Sequence, residues 1–312
     1  MKNPVPFTHL LTLLQSFPSP SSSVFPSALA EGCIPTVPGP PPSVSEWAES
    51  RLGFRPDPLQ AQILDSPSHR LILLCARQFG KSTLAAIKAL HFALARPNST
   101  VLCVSPTLRR STEWLRLVHH FFSILASPTP SEFPSRSREG CIPTVPISPA
   151  ARGRAAAFAP PKATSSVLTL PNRSRILALP GTAHSNRGYS AHLLLFEEAA
   201  FIPDPVFTAL LPTVAATEGA VWLISSAGPP SGFFYEIWTQ PDLPCTRFKA
   251  DATQCPRITR EHLDEARLAL GELRFRREYL CEFSPDALPI FSPDLLESAL
   301  DDSFEPWLAE AA

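Results

Sequence analysis

The stretch Cys75 to Thr83, "CARQFGKST", decides how the rest of the chain is read. Gly80, Lys81 and Ser82 follow the apolar run Arg70–Ala76 and open "STLAAIKALHFALAR", which has helical propensity and stops at Pro97. A strand that runs through a glycine turn into a helix is the setting of a phosphate-binding loop. Backbone N–H groups face the phosphates, a lysine reaches the outer ones, and a hydroxyl serves magnesium. Two positions depart from the common pattern: Cys75 stands where a second glycine is usual, and Arg77 lies inside the loop. Cys75 is small, so the turn survives without glycine if that residue keeps φ below zero.

A phosphate loop needs an acidic partner at the end of a neighbouring strand, and "HLLLFEEAAFIPD" offers Glu197 and Glu198 after an apolar run. In such sites the first acid holds hydrated magnesium and the second polarises the attacking water. The plainer alternative is a solvated helix start, where acids are favoured. Further strands are expected at Thr100–Ser105, Arg175–Leu179, His192–Phe196, Ala220–Ser226 and Thr246–Lys249. Strand, helix, strand in this order implies an α/β parallel sheet with right-handed crossovers. Residues 259–282, "TREHLDEARLALGELRFRREYLCE", read as a charged amphipathic helix or helix pair, broken near Gly271, outside the sheet pattern as a lid would be.

Composition bounds the rest. With 312 residues and 44% apolar content the chain can bury one large core or two modest ones. Its 27 basic and 28 acidic residues leave no global field that advertises nucleic acid. One local stretch is basic: Arg136, Arg138, Arg152, Arg154, Lys162, Arg173, Arg175 and Arg187 stand against Glu139 alone, a pattern that could track phosphates or be a solvated loop. Seven cysteines without a CxxC pair suit a reduced, cytosolic setting better than a disulfide framework. Pro4, Pro6, Thr8 and His9 interrupt the short apolar start, so a signal peptide is not expected. No run of eighteen apolar residues exists, and no membrane association is expected.

The 37 prolines are unevenly spread. "FPSALAEGCIPTVP" at 25–38 and "FPSRSREGCIPTVP" at 133–146 repeat in Pro/Ser-rich surroundings and are read as flexible inserted spacer, a paired docking motif being the alternative. His119 and His120 are adjacent, point about 100° apart on a helix, and are assigned to its surface. Cys75 and Cys103 are expected to act as small apolar residues, and Trp47, Trp114, Trp222 and Trp238 to pack in the core.

Several stretches, in order, resemble the large terminase subunit of tailed bacteriophages over about Glu46 to Phe291. "FRPDPLQAQIL" is similar to the family's adenine-recognising segment, with Gln60 the best match; a surface glutamine at a helix start is the alternative. The loop resembles the family's own variant, in which the first glycine is commonly replaced and an Arg-Gln pair precedes Gly-Lys. The resemblance therefore implies nucleotide contacts from Arg77, Gln78, Phe79, Gly80, Lys81, Ser82 and Thr83, with Arg77 on the γ-phosphate. "VLCVSPTLRRSTEWLR" resembles the next strand and helix start, near the DNA-facing side. "ALPGTAHSNRGYSAHLLLFEEAAFIPD" is the closest match, and implies that Arg187 reaches a neighbouring subunit's nucleotide, unless it is a plain surface arginine. "VWLISSAGPPSGFFYEIW" resembles the coupling motif, where Ser225 and Ser226 sense the γ-phosphate or simply form a turn; "FRREYLCEFSPD" resembles the end of the ATPase domain.

The implied fold is a P-loop NTPase of the RecA-like (ASCE) type, a parallel sheet flanked by helices with a small C-terminal helical lid subdomain. The expected boundaries are a Pro/Ser-rich segment over 1–45, the ATPase domain over 46–250 with a low-complexity insertion at 126–165, the lid over 251–290 and a tail over 291–312. The implied activity is Mg-ATP hydrolysis that drives double-stranded viral DNA, with Ser82 and Glu197 on the metal and Glu198 as catalytic base. Implied partners are DNA, portal protein, small terminase subunit and further copies in a ring, in the bacterial host cytoplasm. Glu197 stands where the family has aspartate, and magnesium tolerates little departure from octahedral ligands at about 2.1 Å, so reduced turnover is expected. The family continues into a nuclease domain that Asp294, Asp301 and Asp302 cannot rebuild, so DNA cleavage is not expected. The rival expectations are a prophage-derived nucleotide-binding remnant and a helicase-like DNA-remodelling ATPase.

Overall fold

The computed structural model describes residues 42–126, 162–182 and 188–284. The repeated segments, Arg187, residues 285–312 and most of the basic stretch lie outside the described residues.

All six expected strands form: β1 (Arg70–Cys75), β2 (Thr100–Ser105), β5 (Arg175–Pro180), β6 (Leu193–Glu197), β7 (Ala220–Ser225) and β8 (Thr246–Ala250). The two short strands β3 (Lys162–Ala163) and β4 (Val167–Thr169) were not anticipated. They join as an antiparallel edge, so the sheet is mixed, with strand order β3-β4-β5-β2-β6-β7-β1-β8 and parallel pairing from β5 onward. Two or three residues are too short to show an alternating pattern, which is why sequence periodicity misses them.

The central strands carry unbroken apolar runs between their ends because both faces of the sheet are covered. Along β1, Leu71, Leu73 and Cys75 enter one core while Ile72, Leu74 and Ala76 enter the other. The first core lies under α1 (Val44–Leu52), α2 (Pro58–Asp65), α3 (Lys81–Ala95) and α4 (Leu108–Ala126). The second lies under α5 (Asp204–Leu210) and α6 (Phe233–Thr239), where Phe207 and Phe233 stack with centroids 4.2 Å apart against Phe196 of β6. Each such ring removed from water contributes about 1.5–3 kcal/mol. Trp114 and Trp222 are buried in the first core, and His119 and His120 are exposed on α4.

Helix starts follow local chemistry. Asp57 and Gln60 form a capping box at α2, with Pro58 at the first helical position. Thr107 Oγ1 accepts from the Arg110 N–H, so α4 begins right after β2 and Pro106. After β8 come α7 (Arg260–Leu270) and α8 (Glu272–Leu280), separated at Gly271 as the sequence suggests. This hairpin is mostly exposed and buries only Ala266 and Phe275 within its helices. Among the described residues no helix is long and apolar enough to cross a membrane, and five cysteines are free thiols.

A candidate phosphate-binding site at the carboxyl ends of four strands

Parallel strands deliver their carboxyl ends to one rim, where ligands of open α/β sheets bind. The loop after β1, Ser105 of β2, Glu197 of β6 with the following Glu198, and Ser225 of β7 with the following Ser226 all reach that rim.

The loop needs two left-handed residues, and they fall at Gln78 (φ 64) and Gly80 (φ 95), not at Cys75. A glycine is therefore required at 80 and dispensable at 75. A Cβ on Gly80 would also lie 3.1 Å from the Gln60 amide nitrogen. The Cys75 thiol is wholly buried, which pushes its pKa up to about 12 and keeps it neutral. No side chain caps the start of α3, so its first-turn N–H groups have no internal partner. That open helix start, preceded by the Gly80 turn, is a cradle for anionic oxygens.

The expected loop residues divide in their roles. Phe79 has its ring in the core and offers the site only its backbone. The Phe79 carbonyl accepts two hydrogen bonds, from Gln60 Nε2 at 2.8 Å and from Arg257 Nη2 at 2.9 Å. Gln60 is buried, and its Oε1 accepts from the Asp57 N–H at 3.1 Å, so its amide already serves the loop and the helix cap. The geometry thus ties Gln60 to loop support, whereas the sequence suggested contact with a base. Arg257 lies 3.7 Å from Asp57 Oδ2. Lys81 Nζ is 3.2 Å from Glu198 Oε1, Ser82 Oγ donates to Glu197 Oε1, and Thr83 follows in the first turn of α3. Arg77, expected at a phosphate, instead meets Glu278 of α8 with its Nε, because that carboxylate supplies the complementary charge.

Glu197 and Glu198 would face opposite sides of the sheet if β6 continued. Glu198 instead adopts φ 57 and ψ 45, a conformation uncommon for a residue other than glycine, and the turn brings both carboxylates to one cleft. Burial pushes the Glu197 carboxyl above its ordinary pKa, opposed by the hydroxyl donors Ser82 and Ser105. Ser105 Oγ donates to Oε2 at 3.1 Å. Glu198 is approached by Arg110 Nη1 at 3.4 Å and by Ser226 Oγ at 3.3 Å. Ser225 Oγ accepts from the Ala200 N–H at 3.1 Å and so pins the turn that follows Glu198. A cleft of about 330 Å³, lined by Ser82, Arg110, Glu113, Trp114, Leu117 and the two glutamates, lies in front of them.

The group around Ser82 and Glu197 is made of oxygen donors only, which fits a hard cation such as magnesium and not a thiolate- or imidazole-seeking metal. Among the described residues there is no cluster of three or more His, Cys, Asp or Glu side chains able to cage a metal alone. Ser105, Arg110, Arg257, Asp57 and Glu278 carry polar contacts that the sequence reading did not assign. Two of these had local signals, Ser105 as a serine closing the apolar strand "TVLCVS" and Asp57 as a helix cap followed by Pro58 and, three residues on, Gln60.

The family model for the N-terminal part of the T4likevirus-type terminase large subunit matches residues 72–297. The terminase large subunit of Thermus virus P23-45 is 27% identical over 268 residues, covering 77% of this chain and 51% of that protein. The counterpart from Thermus phage G20c gives the same values, so the chain spans about half the length of these curated relatives. Among solved structures, the large terminase ATPase domain of Thermus phage P74-26 superposes with a TM-score of 0.56 at 22% identity, covering 78% of this chain and all of that domain. The large terminase of another thermophilic bacteriophage, in complex with ATP-γ-S, gives a TM-score of 0.53 at 11% identity, covering 72% of this chain and 52% of that one. The fold is that of a RecA-like P-loop NTPase.

Proposed function

The chain belongs to the terminase large-subunit family, and from that premise we propose that it is a Mg-ATP hydrolase whose turnover moves double-stranded viral DNA during packaging. The observation that carries this reading is the meeting of Lys81, Ser82, Glu197 and Glu198 at one cleft beside an uncapped helix start. The ATP-γ-S complex of the thermophilic-phage terminase supports the choice of ligand.

In this reading the N–H groups of the loop and of α3 bind the phosphates. Lys81 exchanges Glu198 for a phosphate oxygen, and that exchange frees Glu198 to orient the attacking water and take its proton. Ser82 and Glu197 hold magnesium, which when bound neutralises charge on the phosphate oxygens. Gln60 keeps the loop in register through Phe79. Arg77 supplies positive charge in cis, and Arg187 does so to a neighbouring copy's nucleotide. Ser226 touches Glu198 and Ser225 holds the following turn, contacts that support a role for both in relaying loss of the terminal phosphate along β7. The α7–α8 hairpin, within the lid proposed over 251–290, transmits the change. DNA, a portal protein, a small terminase subunit and a ring of identical chains are the proposed partners, in the host cytoplasm.

The test is the ATPase rate of the purified chain with and without linear duplex DNA, alongside Lys81→Ala. We expect turnover that requires magnesium, rises with DNA and vanishes in the variant. No turnover even with DNA and a portal partner refutes the reading.

A further inference from the structure

A carboxamide that reads adenine needs one acceptor and one donor side by side, for the N6 amino group and for N7. In Gln60 that pair is already spent. Its Oε1 accepts from the Asp57 N–H at 3.1 Å, and its Nε2 donates to the Phe79 carbonyl at 2.8 Å. The residue keeps only 1% of its surface, so a ligand reaches the rest of the amide only by breaking those bonds. Both partners are backbone groups, one fixed by the start of α2 and the other by the phosphate loop. Asp57 is committed in the same way. One of its oxygens accepts from the Gln60 N–H at 2.9 Å, and the other is buried 3.7 Å from Arg257. Arg257, which shares the Phe79 carbonyl, is more open, with 39% of its side chain exposed. A guanidinium only donates and presents a flat face, and every nucleobase has both an acceptor and a face to offer it.

We propose that the phosphate site accepts nucleoside triphosphates whatever their base, with Gln60 a positioning residue for the loop and not a reader of adenine. Affinity then comes from the triphosphate and its magnesium, which all these nucleotides share. The inference rests on the nucleotide-binding reading above and widens its substrate from ATP to that class.

The experiment measures dissociation constants for ATP-γ-S, GTP-γ-S and UTP-γ-S with magnesium, by calorimetry on the full chain, for wild type and Gln60→Leu. Guanine carries an acceptor, O6, where adenine carries its amino donor, so a site that reads the adenine edge should reject GTP-γ-S by about tenfold or more. We expect the three wild-type constants to lie within about fivefold of one another. A larger preference for ATP-γ-S overturns the proposal. Gln60→Leu should shift all three by the same factor, within about twofold, because it acts through the loop that they share. Weakening confined to ATP-γ-S would show that Gln60 reads the base, and overturns the proposal too. The wild-type ratio needs no variant, so the proposal remains open to refutation even if Gln60→Leu does not fold. Wild-type chain that binds none of the three refutes the phosphate-loop reading itself, and base tolerance falls with it. Tight ATP-γ-S binding with rejection of the other two refutes base tolerance alone.

Discussion

The carbonyl of Phe79 offers a sharp test of how the loop is held. Phe79 has no exposed surface, so its carbonyl depends on Gln60 and Arg257. Gln60→Leu keeps most of the side-chain volume and excludes water, but loses the bonds to Phe79 and to the Asp57 N–H. At roughly 1 kcal/mol net for each neutral hydrogen bond, it should cost about 2 kcal/mol. Arg257→Ala should cost about 1 kcal/mol, because this arginine is partly exposed and Gln60 still serves the carbonyl. In the double variant the carbonyl is buried with neither donor, and that desolvation adds about 1–2 kcal/mol beyond the sum of the singles. Urea denaturation of wild type, both singles and the double closes the cycle. A coupling within about 0.3 kcal/mol of zero would show that Phe79 does not depend on these two side chains jointly, and the account of the loop would fail.

Glu198→Gln should lower ATP turnover by about 10²- to 10⁴-fold while nucleotide binding persists, since it removes the base and keeps the shape; steady-state rates beside calorimetry check this. His91, half-buried and edge-on to Trp47, has its pKa held down to about 4, first by desolvation and then by Lys88. Between 6.5 and about 4 the unfolded chain takes up a proton that the folded chain refuses. This contribution to stability is therefore complete above 6.5 and lost as pH falls toward 4, at up to about 1.4 kcal/mol per pH unit. Denaturation midpoints at pH 7 and pH 5 should converge in His91→Leu.

The central strands were legible because their apolar runs face both layers, and the loop because its glycine, lysine and serine are contiguous. Glu197 and Glu198 could be picked out as a pair, but their convergence on one cleft depends on the left-handed backbone at Glu198, which the neighbouring letters do not announce. Arg257 and Glu278 stand well over a hundred residues from the loop they hold, and in a charged segment nothing local separates them from Arg260 or Glu272. Gln60 shows the reverse case. Its motif was visible, yet only the packed structure reveals that its amide is taken up by Asp57 and Phe79.

The antiparallel edge has a practical consequence. In the order β3-β4-β5-β2-β6-β7-β1-β8, five strands stand between β3 and β1. At about 4.8 Å per strand the outer edge is roughly 30 Å from the strand that feeds the phosphate loop. Ala126 ends α4 and Lys162 opens β3, so the connection between them returns to the chain at that far margin. Closing a longer connection adds only about 0.6 kcal/mol for each doubling of its length. A fluorophore or affinity handle placed on that outer edge would let the protein be watched or tethered roughly 30 Å from the phosphate loop.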